Sequence, residues 1–156
     1  MSYRSSTTWG LGAALLLLVG AALHPAPAFA QDALDLEAYR GQIVWIDFWA
    51  SWCTPCRRSF PWLNDMMAKY AGQGLVVVGV NVDTEHELAA QFLSEVPVSF
   101  SIVYDPQGAL AQQYEVLGMP SSFLIGRDGR LISSHIGFRR EERENYEASI
   151  VEALSN

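Results

Sequence analysis

The chain is poor in cysteine. Its 156 residues hold two, three positions apart in Trp52-Cys53-Thr54-Pro55-Cys56. That scarcity excludes a structural disulfide framework, which small exported domains build from several pairs. It also leaves no cysteine behind the N-terminal apolar segment to carry a lipid. Basic residues are few beside acidic ones, ten Lys and Arg against seventeen Asp and Glu, for a formal net charge of −7. So acidic a chain has no electrostatic footprint for nucleic acid or for an anionic membrane surface. No internal repeat and no low-complexity linker follows the first thirty residues. His86 and His135 stand alone, without the spacing of metal ligands.

Residues 1–30 read as a signal peptide, and residues 31–156 as one domain with one core. Arg4 supplies a weakly positive start, and Gly10 to Leu23 form an uncharged apolar run. Pro25 and Pro27 then break any helix, and Ala28-Phe29-Ala30 is an A-x-A cleavage signal. Cleavage after Ala30 would remove one basic residue and no acidic one. An uncleaved membrane anchor is the competing reading, although the apolar run is short for a span of about 20 residues. With cleavage, no stable membrane insertion remains. Export places the protein in an oxidising compartment, the periplasm, where a reductant needs its own electron partner.

The pattern beyond the signal segment alternates strands with helices. Ile43 to Trp49 is apolar on both faces apart from Asp47, as suits a central buried strand. Cys53 to Tyr70 reads as a helix with Phe60, Leu63, Met66, Met67 and Tyr70 on one side, and Pro61 as a kink. A strand over Leu75 to Val82 follows, then a helix over Glu85 to Val96 that buries Leu88, Phe92 and Leu93. A short strand, Ser101 to Tyr104, and a short helix, Gln107 to Tyr114, come next. Ser122 to Ile125 and Arg130 to His135 read as a hairpin around Gly126-Arg127-Asp128-Gly129. Arg139 to Leu154 is a charged amphipathic helix whose Tyr146, Ile150, Val151 and Leu154 face the sheet. Right-handed crossovers make the first strands parallel neighbours. The expected architecture is a three-layer α/β sandwich with a mixed sheet.

The two cysteines sit where a strand gives way to a helix, a placement that favours redox chemistry over half a zinc site. Backbone N–H groups and the positive end of the helix dipole stabilise a thiolate at Cys53. Cys56, one turn on, lies within disulfide reach. Cys53 is therefore the attacking thiol and Cys56 the resolving one, with Pro55 tolerated in the first turn. Asp47, buried in its strand, has a raised pKa through desolvation and is placed to take the Cys56 proton. A structural hydrogen bond is the alternative role for it. Pro120, in Gly118-Met119-Pro120-Ser121, is a candidate cis proline, and Met119 before it can offer its backbone to an extended substrate. Trp45, Trp49 and Trp62 read as core residues, and Trp52 as an exposed ring facing the substrate. Arg57 and Arg58 either favour the thiolate or sit on a solvated helix face, and the Arg139 to Glu144 cluster reads as solvated.

The run from Trp45 to Cys56, with Gly79-Val80-Asn81-Val82-Asp83, Phe100 to Gln107 and Gly118 to Ile125, resembles thioredoxin-fold proteins of the TlpA/ResA branch. The resemblance covers nearly all of residues 31–156. It implies a thioredoxin-like fold with an inserted helix-strand segment around Asp83 to Ser101, a cis bond at Pro120 and periplasmic thiol–disulfide exchange. By position it makes Cys53 the nucleophile, Cys56 the resolving thiol, Asp47 the buried acid and Pro120 the proline of the substrate site. Two departures stand out. The hairpin usual before the first core strand is short or absent, and Gly79 occupies the place of a lysine that pairs with the buried acid in cytoplasmic thioredoxins.

The expected function is a reductase of protein disulfides, in cytochrome or metalloprotein maturation, with cysteine-containing protein substrates and an inner-membrane thiol electron donor. No cofactor is expected. An oxidant or isomerase on the same scaffold is one alternative, and a Cu(I)-binding or docking module another. A peroxidase is disfavoured, because no threonine stands three residues before Cys53.

Overall fold

Strand β1 (Ile43–Trp49) is buried along its whole length. Successive side chains of a strand point to opposite faces, and here both faces are apolar. Ile43, Trp45 and Trp49 enter one core cluster, and Val44, Ile46 and Phe48 enter a second. Such a strand belongs inside a sheet covered on both sides. The computed structural model, which describes Met1 and residues 34–156, places it there. The expected signal segment lies outside the described residues.

On one side of β1 run β2 (Leu75–Asn81) and then β3 (Ser101–Tyr104), both parallel to their neighbours. On the other side run β4 (Ser121–Ile125) and β5 (Leu131–Ile136), both antiparallel. The five-stranded order is β3-β2-β1-β4-β5. The sheet is mixed, as the alternation followed by a hairpin signal predicts. The hairpin turn closes with Gly129 N–H donating to Gly126 C=O, and Gly129 takes a positive φ of 76°. Before β1 only a 3-10 turn, Leu36–Tyr39, is present among the described residues.

Helices α1 (Cys56–Tyr70), α2 (His86–Glu95) and α4 (Arg143–Ser155) contribute to the core that holds Trp45 and Trp49. Helix α3 (Ala109–Gln113) and the Leu36–Tyr39 turn pack on the opposite cluster. The three layers of a thioredoxin-like fold result. Helix α2 lies within the stretch from Asp83 to Ser101 expected as the inserted segment, and β3 begins where that stretch ends.

Three local expectations differ from the structure. Helix α1 begins at Cys56 rather than Cys53, because two successive tight turns come first. Cys53 N–H donates to Ala50 C=O at 3.1 Å, and Cys56 N–H donates to Cys53 C=O at 3.1 Å. Helix α2 buries Ala89 and Phe92 and leaves Leu88 exposed, while α4 buries Tyr146, Ile150 and Ala153 and leaves Val151 exposed. In both helices the exposed residue sits next in sequence to a buried one. That is about 100° round the helix from the buried stripe, where spacings of three and four keep to one face.

Candidate active site

The carboxyl-terminal end of β1 hands the chain to the two turns that carry the sulfurs. Cys53 and Cys56 form a disulfide with Cα atoms 5.3 Å apart. Cys56 is fully buried, whereas Cys53 keeps a 3% exposure. Cys56 N–H also donates to Cys53 Sγ at 3.2 Å. Although Cys53 precedes the helix, the first helical N–H therefore points at its sulfur. The positive end of α1 acts on this atom, as the placement after a strand implies.

Asp47 lies on the Trp45 and Trp49 face of β1, the face that α1 covers. Directly opposite, on β4, stands Ser122, whose hydroxyl donates to Asp47 Oδ1 at 2.6 Å. Oδ2 has no hydrogen-bond partner and is buried. On the other side the register places Gly79 of β2 beside Asp47. A side chain at Gly79 would meet Ile102 Cδ1 at 2.9 Å and Trp49 Nε1 at 3.1 Å. The space that a neighbouring lysine would need is thus filled by the Trp49 indole and Ile102. With no cation beside it, burial pushes the Asp47 carboxyl up to about 7, against smaller downward pulls from Ser122, Trp45 and Ser59. Ser59 itself belongs to the second turn of α1 and donates to Cys56 C=O. The carboxyl is thus tied to its strand neighbour Ser122.

Pro120 opens β4 at the same end of the sheet, since the register sets Ser121 against Phe48. The Met119–Pro120 peptide bond is cis. Pro120 is buried and Met119 half-buried. The loop is held by Ser121 Oγ donating to Gly118 C=O and by Gly137 N–H donating to Pro120 C=O, each at 2.7 Å. Trp52 is 70% exposed, as a substrate-facing ring requires. Arg57 is committed elsewhere: it pairs with Glu95 at 2.8 Å and lies over the Phe92 ring.

The structure thus gathers Cys53, Cys56, Asp47, Trp52, Met119 and Pro120 at one end of the sheet. Three further residues belong to the same end and escape a reading of the sequence. Ser122 is hidden because its pairing with Asp47 spans 75 positions. Leu117 is 86% exposed beside the Met119 loop, where an apolar residue reads as core by default. Asp83 was legible only as part of a motif, yet its carboxylate accepts from Ser51 N–H at 2.8 Å and Ser51 Oγ at 2.9 Å.

A disulfide at a strand-to-helix junction, with a buried carboxyl that titrates near neutrality on that strand, is suited to thiol–disulfide exchange. Both cysteines are buried, Cys56 completely and Cys53 with 3% exposure. Comparison with known proteins agrees. A model of the AhpC/TSA family matches residues 23–134. A thiol-disulfide oxidoreductase ResA from Bacillus thuringiensis is 29% identical over 114 residues, covering 72% of this chain and 66% of that protein. The chain thus spans somewhat less than two-thirds of that relative's length. A crystal structure assigned to the thiol:disulfide interchange protein DsbE from Chlorobium tepidum superposes with a TM-score of 0.75 at 48% identity. It covers 76% of this chain and 84% of that one. A thioredoxin-type protein from Neisseria meningitidis, with a TM-score of 0.69 at 23% identity over 77% and 79% of the two chains, shares the fold.

Proposed function

The chain belongs to the AhpC/TSA family, and we propose that within it this protein is a thiol–disulfide oxidoreductase that reduces disulfides in cysteine-containing proteins. The observation that carries this reading is the Cys53–Cys56 disulfide at the start of α1, with a buried acid that titrates near neutrality on the preceding strand. In the reduced protein the Cys53 thiolate attacks a substrate disulfide, forming a mixed disulfide and releasing one substrate thiolate. Asp47, ionised, takes the proton from Cys56. The Cys56 thiolate then attacks Cys53 Sγ and releases the second substrate thiolate. The product is the Cys53–Cys56 disulfide of the structure.

Met119 and Pro120 form the backbone platform for an extended substrate, and Trp52 flanks the reacting sulfur. The exposed Leu117 widens this rim with apolar surface. Electrons return from a thiol carrier in the inner membrane. The site of action is the periplasm, in keeping with the A-x-A signal. Among the described residues no helix is long and apolar enough to cross a membrane. Peroxide reduction is not favoured, since Ala50 stands where P-x-x-x-T-x-x-C places its threonine.

Trapping tests the assignment of the sulfurs. Cys56→Ser is expected to accumulate mixed disulfides at Cys53, separable on non-reducing gels. If Cys53→Ser accumulates the same adducts, or neither variant accumulates any, nucleophilic attack by Cys53 is refuted. The Cys53–Cys56 potential against glutathione tests direction: a strongly oxidising value would overturn the reductase reading.

A further inference from the structure

Asp83 follows β2 and takes no part in the steps above, yet it is nearly as buried as the core, at 5% exposure. Its Oδ2 accepts from Ser51 N–H and from Asn81 Nδ2, each at 2.8 Å, and its Oδ1 accepts from Ser51 Oγ at 2.9 Å. Its own N–H donates to Asn81 Oδ1 at 3.2 Å. Ser51 and Trp52 are the central residues of the turn that Cys53 N–H closes onto Ala50 C=O. Three neutral donors thus clamp a carboxylate against the turn that presents Cys53, and none of them brings a positive charge.

We infer that Asp83 is a positioning residue for Cys53, fixing the turn that presents the sulfur and restraining its thiolate with a negative charge. Two residues of chain span at most about 7 Å, so with the 2.8 Å contact to Ser51 N–H and the bonds at either end the sulfur lies within about 14 Å of the Asp83 carboxylate. At an effective dielectric of about 20, one charge at that distance raises a thiol pKa by about one unit. The helix N-terminus at Cys56 pulls the other way. A restrained thiolate favours the disulfide over the dithiol, so the reduced protein gives up its electrons more readily. The inference deepens the reductase proposal and rests on Cys53 being the attacking thiol.

Two substitutions separate charge from geometry. In Asp83→Asn the amide oxygen still accepts from Ser51 N–H and Asn81, and its NH₂ donates to the Ser51 hydroxyl, which accepts as well as donates. The clamp stays and the charge goes. Asp83→Ala removes both. The measurement is the rate of iodoacetamide alkylation of Cys53 in the reduced protein against pH, with Tm in parallel. Asp47 beneath the site, the α1 N-terminus, Arg57 paired with Glu95, and exposed Arg58 are common to all variants, so differences report Asp83. For Asp83→Asn the alkylation midpoint is expected about one pH unit lower, with the Cys53–Cys56 potential shifted in the oxidising direction. For Asp83→Ala the alkylation plateau falls several-fold as well. Midpoints unmoved in Asp83→Asn, whatever happens to Tm, overturn the inference. If the Asp83 variants do not fold, Ser51→Ala removes one clamp and leaves the carboxylate. A several-fold slower Cys53 alkylation at an unchanged or higher midpoint then supports the inference, and a wild-type profile overturns it. If instead Cys53 in the wild-type protein alkylates no faster than Cys56, the assignment of the nucleophile fails on its own account.

Discussion

Replacing Asp47 by Asn should make the protein more stable at neutral pH and worse at its chemistry. Burial holds the Asp47 carboxyl at about 7, against 3.8 for an exposed one. Below about pH 4 the group is protonated in both native and unfolded chains and contributes nothing to the pH dependence. Between about 4 and 7 the native protein retains a proton that the unfolded chain has lost, so stability falls as pH rises. Above about 7 the loss is complete, and about three units at about 1.4 kcal/mol each put it on the order of 4 kcal/mol. Asparagine carries no such penalty. The Ser122 hydroxyl continues to donate to its oxygen, but the NH₂ enters the position of Oδ2, which has no partner. That orphaned donor costs about 1–3 kcal/mol. The net expectation is a gain of about 1–3 kcal/mol for the variant at pH 8 that reverses to a deficit near pH 4. Urea unfolding of both oxidised proteins, at half-unit steps from pH 4 to 9, measures it. The difference between the two curves cancels the other carboxylates, and a difference that stays constant from pH 4 to 8 refutes the reasoning. The same variant should accumulate the mixed disulfide, because Cys56 loses its proton acceptor.

Ser122→Ala removes the strongest of the downward pulls on Asp47, so the carboxyl should titrate above about 7; carboxyl NMR that shows an unmoved or lower midpoint contradicts this. Gly79→Ala should lower stability by about 1–3 kcal/mol, since the new methyl meets Ile102 at 2.9 Å, Trp49 at 3.1 Å and Phe100 at 3.2 Å; an unchanged Tm would show that the pocket yields. Leu117→Asp, at an 86% exposed position, should leave stability within about 0.5 kcal/mol and cut kcat/KM for a protein disulfide several-fold while sparing a small aromatic disulfide. Equal losses on both substrates would remove Leu117 from the substrate rim.

The order of elements was legible because Ile43 to Trp49 is apolar apart from Asp47, Leu75 to Val80 carries no polar side chain, and the Gly126 to Gly129 turn is explicit. The residues around the sulfurs were legible because they are contiguous and their chemistry is tied to a strand-to-helix junction. What sequence could not supply is contact at a distance. Ser122 is one of two adjacent serines that open β4, and only the antiparallel register selects it as the donor to Asp47. Leu88 and Val151 show a different limit. Each lies next to a buried position, and a periodic pattern with small residues such as Ala89 and Ala153 on the true face does not settle which side turns inward. The start of α1 was misplaced because hydrophobic spacing cannot distinguish two tight turns from the first turn of a helix.

The central place of β1 has a consequence for how the molecule is made. Synthesis delivers the β1, β2 and β3 segments well before β4, so for some time β1 has a partner along only one edge. That bare edge carries Val44, Trp45, Ile46 and Phe48, an apolar ribbon of the kind that recruits strands from other chains. Both cysteines already exist at this stage, while the hydroxyl that will meet Asp47 has yet to appear. The arrival of residues 121–125 therefore does two things in one step: it closes the sticky edge and completes the buried acid. A chain cut short before β4 would hold both cysteines without the finished environment that governs them.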